Sequence, residues 1–187
     1  THGLTGRGQT LTTSDSGIDT GSTLTVMDDF KGQLVTIRRV NFQCQTKDAI
    51  GHGTHTAGSL VGNGALSGGQ IKGAAYGARL FAWAFCDKAG GIYLPSTYEE
   101  LFMPSGATMA RIHSASWGFE ENDYDPDCAD VDRTVWENPE FLPVFSAGNS
   151  GVHGAHTTIS PGNAKNVVSV GASQNLRPTG YTYSYLT

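Results

Sequence analysis

Residues 51–58 read Gly-His-Gly-Thr-His-Thr-Ala-Gly, two imidazoles set among small side chains. An imidazole changes charge near neutral pH, so it serves as a proton carrier, a metal ligand or an ordinary helix residue. Zinc-binding helices usually place their histidines four apart with a glutamate between. His52 and His55 are three apart and lack it. A second pair, His153 and His156, lies in a glycine-containing polar turn, and no cysteine or carboxylate of matching spacing completes a metal set. A histidine acts as a general base when a carboxylate holds its Nδ1–H and stabilises the imidazolium formed in proton transfer. The stretch DSGIDTG offers such a carboxylate at Asp15. The stretch AGNSG offers Asn149, either a left-handed turn residue or a side-chain N–H donor to a developing oxyanion. Gly51 and Gly53 suit a sharp backbone turn beside an approaching substrate, and Thr54, Ala57 and Gly58 are small enough for a helix packed tightly on a sheet. His2, His55, His113, His153 and His156 read as ordinary structural histidines.

For these groups to cooperate, the fold must carry positions 15, 52 and 149 to one place. Short β-prone runs at 9–14, 34–39, 79–84, 111–115, 143–146 and 167–171 alternate with helical patterns at 52–61, 97–102 and 131–137. This alternation predicts an α/β fold, a doubly wound parallel sheet with helices on both faces. Such sheets gather functional residues at the C-terminal ends of their strands. Asp15 follows the first run, Asn149 follows the fifth and His52 opens a helix, so all three fall on one rim. In the last helix Val131, Val135 and Trp136 read as an apolar face. The acidic stretch EENDYDPDCAD, residues 120–130, reads as a solvated loop. Its spacing is not that of an EF-hand, and a calcium site there stays open. The first run, QTLTTSD, is rich in threonine where a central parallel strand is usually continuously apolar. Its full burial requires a partner for each hydroxyl.

The 187 residues suit one domain with one core, and 38% hydrophobic with 16% charged residues are globular values. A net charge of −5 without a basic stripe argues against a nucleic-acid partner. The longest strongly apolar run, residues 80–85, is too short to span a membrane. Cys44, Cys86 and Cys128 cannot all pair within the chain and form no C-x-x-C unit, so they read as buried or free thiols with room for one disulfide. The opening THGLTGRGQT is polar and turn-rich, shows no signal peptide and reads as an interior cut.

Three stretches together, DSGID, GHGTHTAGSLVGNG and SAGNSG, resemble the aspartate, histidine and oxyanion-asparagine motifs of the subtilases, the subtilisin-like serine proteases. SASWG at 114–118 is similar to the family's substrate-pairing segment, and ISPGNAKNVVSVGA to the stretch that follows the asparagine. RIHSASWG and SQNLRP resemble the branch of oxidatively stable alkaline subtilases. The resemblance runs from residue 6 to about residue 178. It implies a serine endopeptidase acting through an acyl-enzyme, with Asp15 orienting His52, His52 as base and acid, and Asn149 as oxyanion donor. It further implies that Ser116, Trp117 and Gly118 face Ala147 and Gly148 across the main specificity pocket. A polypeptide substrate, a secreted location and no cofactor for the chemistry follow from it. Structural calcium is common in the family, with no ligand set assignable here. The family's serine motif, GTSMA, does not follow Asn149. The stretch GATMA at 106–110, with Thr108 at the serine place, precedes SASWG, which is the wrong order. We therefore expect residues 1–187 to be the N-terminal portion of one catalytic domain, a sheet incomplete at its C-terminal end. A complementary segment would supply the serine. Without that segment the chain is expected to be inactive, and the alternative is a peptide-binding module without catalysis or an inactive fragment.

Overall fold

A strand of hydroxyl-bearing residues runs through the middle of the molecule. In the computed structural model, which describes residues 3–102 and 110–173, it is β1 (Thr10–Asp15), buried along its whole length. Five further strands complete one parallel sheet: β2 (Leu34–Arg39), β3 (Arg79–Ala84), β4 (Ile112–Ala115), β5 (Leu142–Ser146) and β6 (Val168–Val170). Their spatial order is β2-β3-β1-β4-β5-β6. The chain thus builds to one side of β1 and then to the other, and the direction switches between β1 and β4. A crevice for ligands opens at such a point, outside the carboxyl ends of the strands.

Helices cover both faces. On one, α1 (His52–Val61) sets Ala57 and Val61 in a cluster with Leu11, Leu80, Ala82 and Phe30. On the other, α2 (Tyr98–Phe102) and α3 (Pro126–Glu137) bring Leu101, Phe102, Cys128 and Val131 onto Phe85, Trp117 and Phe145. This is the doubly wound α/β architecture expected from the sequence. The three cysteines are buried free thiols. Among the described residues no helix is long and apolar enough to cross a membrane.

The polar strand is tolerated because His113, on the neighbouring β4, answers its hydroxyls. His113 is completely buried. Its Nδ1 lies 2.9 Å from Thr12 Oγ1 and its Nε2 2.9 Å from Ser14 Oγ. Trp117 Nε1 donates to Ser14 Oγ at 3.0 Å, and Thr12 Oγ1 donates to the Phe102 carbonyl at 3.0 Å. One proton assignment satisfies every group: indole N–H to Ser14, Ser14 O–H to Nε2, Nδ1–H to Thr12, Thr12 O–H to the carbonyl. Thr13 Oγ1, on the opposite face, donates to Ser114 O at 2.8 Å. Thr12, Thr13 and Ser14 therefore cost little when buried, because each of those hydroxyls is paired.

Two readings of residues 120–137 need correction. Residues 126–130 are not loop but the first turns of α3. Asp125 is the N-cap, its Oδ1 accepting the Cys128 N–H at 2.9 Å, and Pro126 takes the first helical position, where a missing N–H costs nothing. The Asp-Pro pair was the start signal. Trp136 does not join the apolar face: it is 82% exposed, whereas Cys128, Val131 and Thr134 point inward at helical spacing.

Burial lowers the His113 pKa from 6.5 to about 3. An unfolded chain takes up this proton below pH 6.5 and the folded one does not, so stability falls as pH drops from 6.5 towards 3. Between pH 7.5 and 5 this one group removes about 2 kcal/mol. Urea denaturation at the two pH values should show that much less acid sensitivity in His113→Gln than in the parent.

Candidate active site

Asp15 ends β1 at the C-terminal rim of the sheet, and its side chain is almost wholly buried. A carboxylate there needs donors on both oxygens. Oδ1 accepts the Ser16 N–H at 2.7 Å and lies 2.7 Å from His52 Nδ1; Oδ2 accepts Thr56 Oγ1 at 3.1 Å. Holding Nδ1–H in this way assigns the tautomer and leaves Nε2 as the basic nitrogen. The His52 side chain is half exposed, and Nε2 has no hydrogen-bond partner among the described residues.

The position of His52 depends on how α1 begins. Its N-cap is Gly51, at φ +90°, a left-handed conformation that suits glycine and offers no capping side chain. The free N–H groups of the first turn are met from elsewhere. Asp48 Oδ2 accepts Thr54 N–H at 2.8 Å and Thr54 Oγ1 at 2.6 Å, while Oδ1 accepts Gly51 N–H at 2.8 Å. Ser16 Oγ donates to Asp48 Oδ1 at 2.9 Å and accepts the Gly53 N–H at 2.9 Å. The residue next to Asp15 is thereby tied to the helix that carries His52. Burial by itself would raise the Asp48 pKa. The hydrogen bonds from Thr54, Gly51 and Ser16 outweigh it and hold the carboxyl below its ordinary 3.8. That contribution to stability is present above about pH 4 and is lost as pH falls through the lowered value. Sequence reasoning missed Asp48; an acid four residues before the histidine, ahead of a glycine cap, was the available signal.

Across the cleft, Asn149 follows β5. It is exposed, its backbone is at φ −112°, and its side chain makes no hydrogen bond among the described residues. The left-handed turn position belongs to Gly148, at φ +94°, so Asn149 is not the turn residue. A cleft of about 340 Å³ is lined by Asp15, His52, Asn149, Ser116, Gly118 and Gly148, with Trp117 largely buried beneath it. Ala147 stands behind this wall, its N–H donating to Val170 O at 2.9 Å and its carbonyl accepting the Ile159 N–H at 3.3 Å. Ile159 also lines the cleft and was not singled out from the sequence. Cys86 lies there too. Burial, and then the negative charge of Asp15, push its thiol up to about 12, so it stays protonated and is no thiolate nucleophile. Thr108 lies outside the described residues. Among those residues no three His, Cys, Asp or Glu side chains converge as a metal site.

A parallel doubly wound sheet with an Asp–His pair on its C-terminal rim, opposite an asparagine, is a subtilisin-like α/β domain. The chain belongs to the subtilase family, whose model matches residues 6–185. It is 31% identical to serine protease AprX of Bacillus subtilis over 90% of this chain and 39% of that protein. It is 29% identical to the serine protease/ABC transporter B family protein tagD of Dictyostelium discoideum over 91% of this chain. The chain spans about a tenth of tagD. Among solved structures, sphericase shares the fold with a TM-score of 0.67 and 24% identity, over 94% of this chain and 56% of that one.

The packing of α1 separates two of its glycines. A Cβ on Gly53 would lie 2.2 Å from the Gly17 carbonyl oxygen, whereas one on Gly58 would meet nothing nearer than Phe30 Cζ at 3.9 Å. Gly53→Ala should destabilise by ~1–3 kcal/mol through overpacking. Gly58→Ala should stabilise by up to ~1 kcal/mol through helix propensity. Asp48→Ala, which strips the cap, should cost ~1–2 kcal/mol. Urea midpoints of the three variants against the parent check all three values.

Proposed function

We propose that this chain carries the base, its orienting carboxylate and the oxyanion donor of a serine endopeptidase, and that its nucleophilic serine lies in chain beyond this sequence. The observation that carries the reading is the 2.7 Å contact between His52 Nδ1 and the buried Asp15 Oδ1, which leaves Nε2 available in the cleft. A serine hydroxyl delivered to Nε2 would lose its proton to His52 as its oxygen bonds to the peptide carbonyl carbon. Asp15 would stay ionised and stabilise the imidazolium. The Asn149 side-chain N–H would donate to the oxyanion of the tetrahedral intermediate. His52 would then pass its proton to the departing amine, leaving an acyl-enzyme that water hydrolyses by the same route in reverse.

A complementary segment is part of this proposal. Val168 and Val170 of the edge strand β6 are 43% and 48% exposed, and among the described residues nothing pairs with the strand's outer side. Uncovered apolar edges of this kind favour a further strand or helix against them. Family membership supports a polypeptide substrate and a secreted location.

The test is labelling of the full-length protein with a fluorophosphonate, followed by peptide hydrolysis. The parent should label on one serine outside residues 1–187. His52→Ala should lose labelling and drop kcat by ~10⁴–10⁶-fold. Asn149→Ala should label and cleave with kcat reduced ~10²–10³-fold, the magnitude established for the corresponding donor of a subtilisin. A parent that neither labels nor cleaves, yet binds extended peptides, would instead make the domain a peptide-binding module.

A further inference from the structure

The two walls of the cleft leave the sheet from adjacent strands. Residues 116–118 follow β4 and residues 147–148 follow β5, and these strands pair in parallel register. Neighbouring strands run about 4.8 Å apart, so a slot between their extensions opens only where the two diverge. Both walls carry a glycine at the slot, Gly118 and Gly148. Two bare α-carbons facing each other would ordinarily leave space for a side chain of a bound peptide.

Here that space is already filled. The segment at 159–160 is stitched to both walls. The Ile159 N–H donates to Ala147 O at 3.3 Å, the Ser160 N–H donates to Phe119 O at 3.1 Å, and the Phe119 N–H donates to Ser160 O at 2.7 Å. The Ile159 side chain stands between the glycines. A Cβ on Gly118 would lie 2.6 Å from Ile159 Cδ1, and one on Gly148 would lie 2.7 Å from Ile159 Cγ2. One branched side chain therefore abuts both α-carbons. Its backbone is pinned on two sides and its χ1 is stiff, so it does not readily swing aside. Both glycines thus accommodate the isoleucine.

We infer that Ile159 closes the slot between Gly118 and Gly148, so that the site takes peptides with a small side chain, glycine or alanine, at the residue whose carbonyl is attacked. That a carbonyl is attacked rests on the peptidase reading above; the closure itself rests on the packing. A leucine or phenylalanine side chain would have to displace Ile159. A charged one would have to displace it as well, giving up hydration where it meets the aliphatic Ile159 side chain.

The experiment uses the full-length protein and three peptides that differ only at this residue, alanine, leucine or phenylalanine. The parent should favour alanine over phenylalanine in kcat/KM by at least ~100-fold. Ile159→Ala should raise the phenylalanine value ~10–100-fold relative to the alanine value. Ile159→Val, one methyl smaller and conservative for folding, should fall between. A parent that cleaves the phenylalanine peptide as readily as the alanine one overturns the inference, as does a ratio unmoved in both variants. If the parent cleaves nothing and takes no fluorophosphonate, the peptidase reading fails, and equilibrium binding of the same peptides decides on the slot. Tighter binding of the alanine peptide, relaxed in Ile159→Ala, supports closure, and equal binding of all three in parent and variant overturns it.

Discussion

A carboxylate removed from water at the end of a central strand is the constraint around which the rest of this domain is arranged. An isolated buried charge would be severely destabilising, so Asp15 has to be surrounded by donors. They come from two places: the next residue's backbone, and the first turn of α1 through His52 and Thr56. Satisfying Asp15 thus fixes the helix, and fixing the helix places the imidazole. The small residues of GHGTHTAG serve this requirement unequally. Gly53 lies against the Gly17 carbonyl and Ala57 is wholly buried, so those two set how close the helix comes. Gly58 has room beside it, and Thr54 serves as a hydrogen-bonding partner of Asp48.

The same logic extends inward along β1. A strand with hydroxyls at 12, 13 and 14 is an odd choice for a sheet centre if apolar burial is the only consideration. It becomes economical when His113 faces two of the hydroxyls and the Trp117 indole N–H closes the chain of donors. The relay also connects the two sides of the site. Ser14, which accepts from Trp117, precedes Asp15 in the strand, and Trp117 lies beneath the cleft wall. The indole is further held by Phe85, Tyr98 and Phe145, at centroid distances of 5.0, 6.3 and 5.7 Å. A buried polar network with every member satisfied fixes orientation as well as position.

Much of this was legible in the sequence because it follows from local rules. Strand and helix alternation foretold the doubly wound sheet, and the strand-end rule put Asp15 and Asn149 on one rim. What escaped depends on partners distant in the chain. Nothing near residue 113 announces that its imidazole meets hydroxyls about a hundred positions earlier, so an ordinary histidine was the natural reading. Asp48 was passed over because the residue directly before His52 is a glycine without a side chain, and the cap comes instead from four residues before the helix. Ile159 was invisible because a side chain that fills a gap between two remote glycines leaves no periodic trace. The start of α3 escaped for a local reason: Asp125-Pro126 is a helix-initiation signal, and the surrounding acidity masked it.

The donors to Asp15, the cap supplied by Asp48 and the helix bearing His52 all lie within residues 15–61. The walls of the cleft and the side chain between them lie within residues 116–160. The two halves meet at the switch between β1 and β4, held by the parallel ladder and the Trp117–Ser14 hydrogen bond. In the reading proposed above, proton transfer would depend on one set of residues and side-chain selection on another. Substitution at Ile159 alters the space between Gly118 and Gly148 without touching a donor to Asp15, so selectivity can change while the geometry of the base is retained.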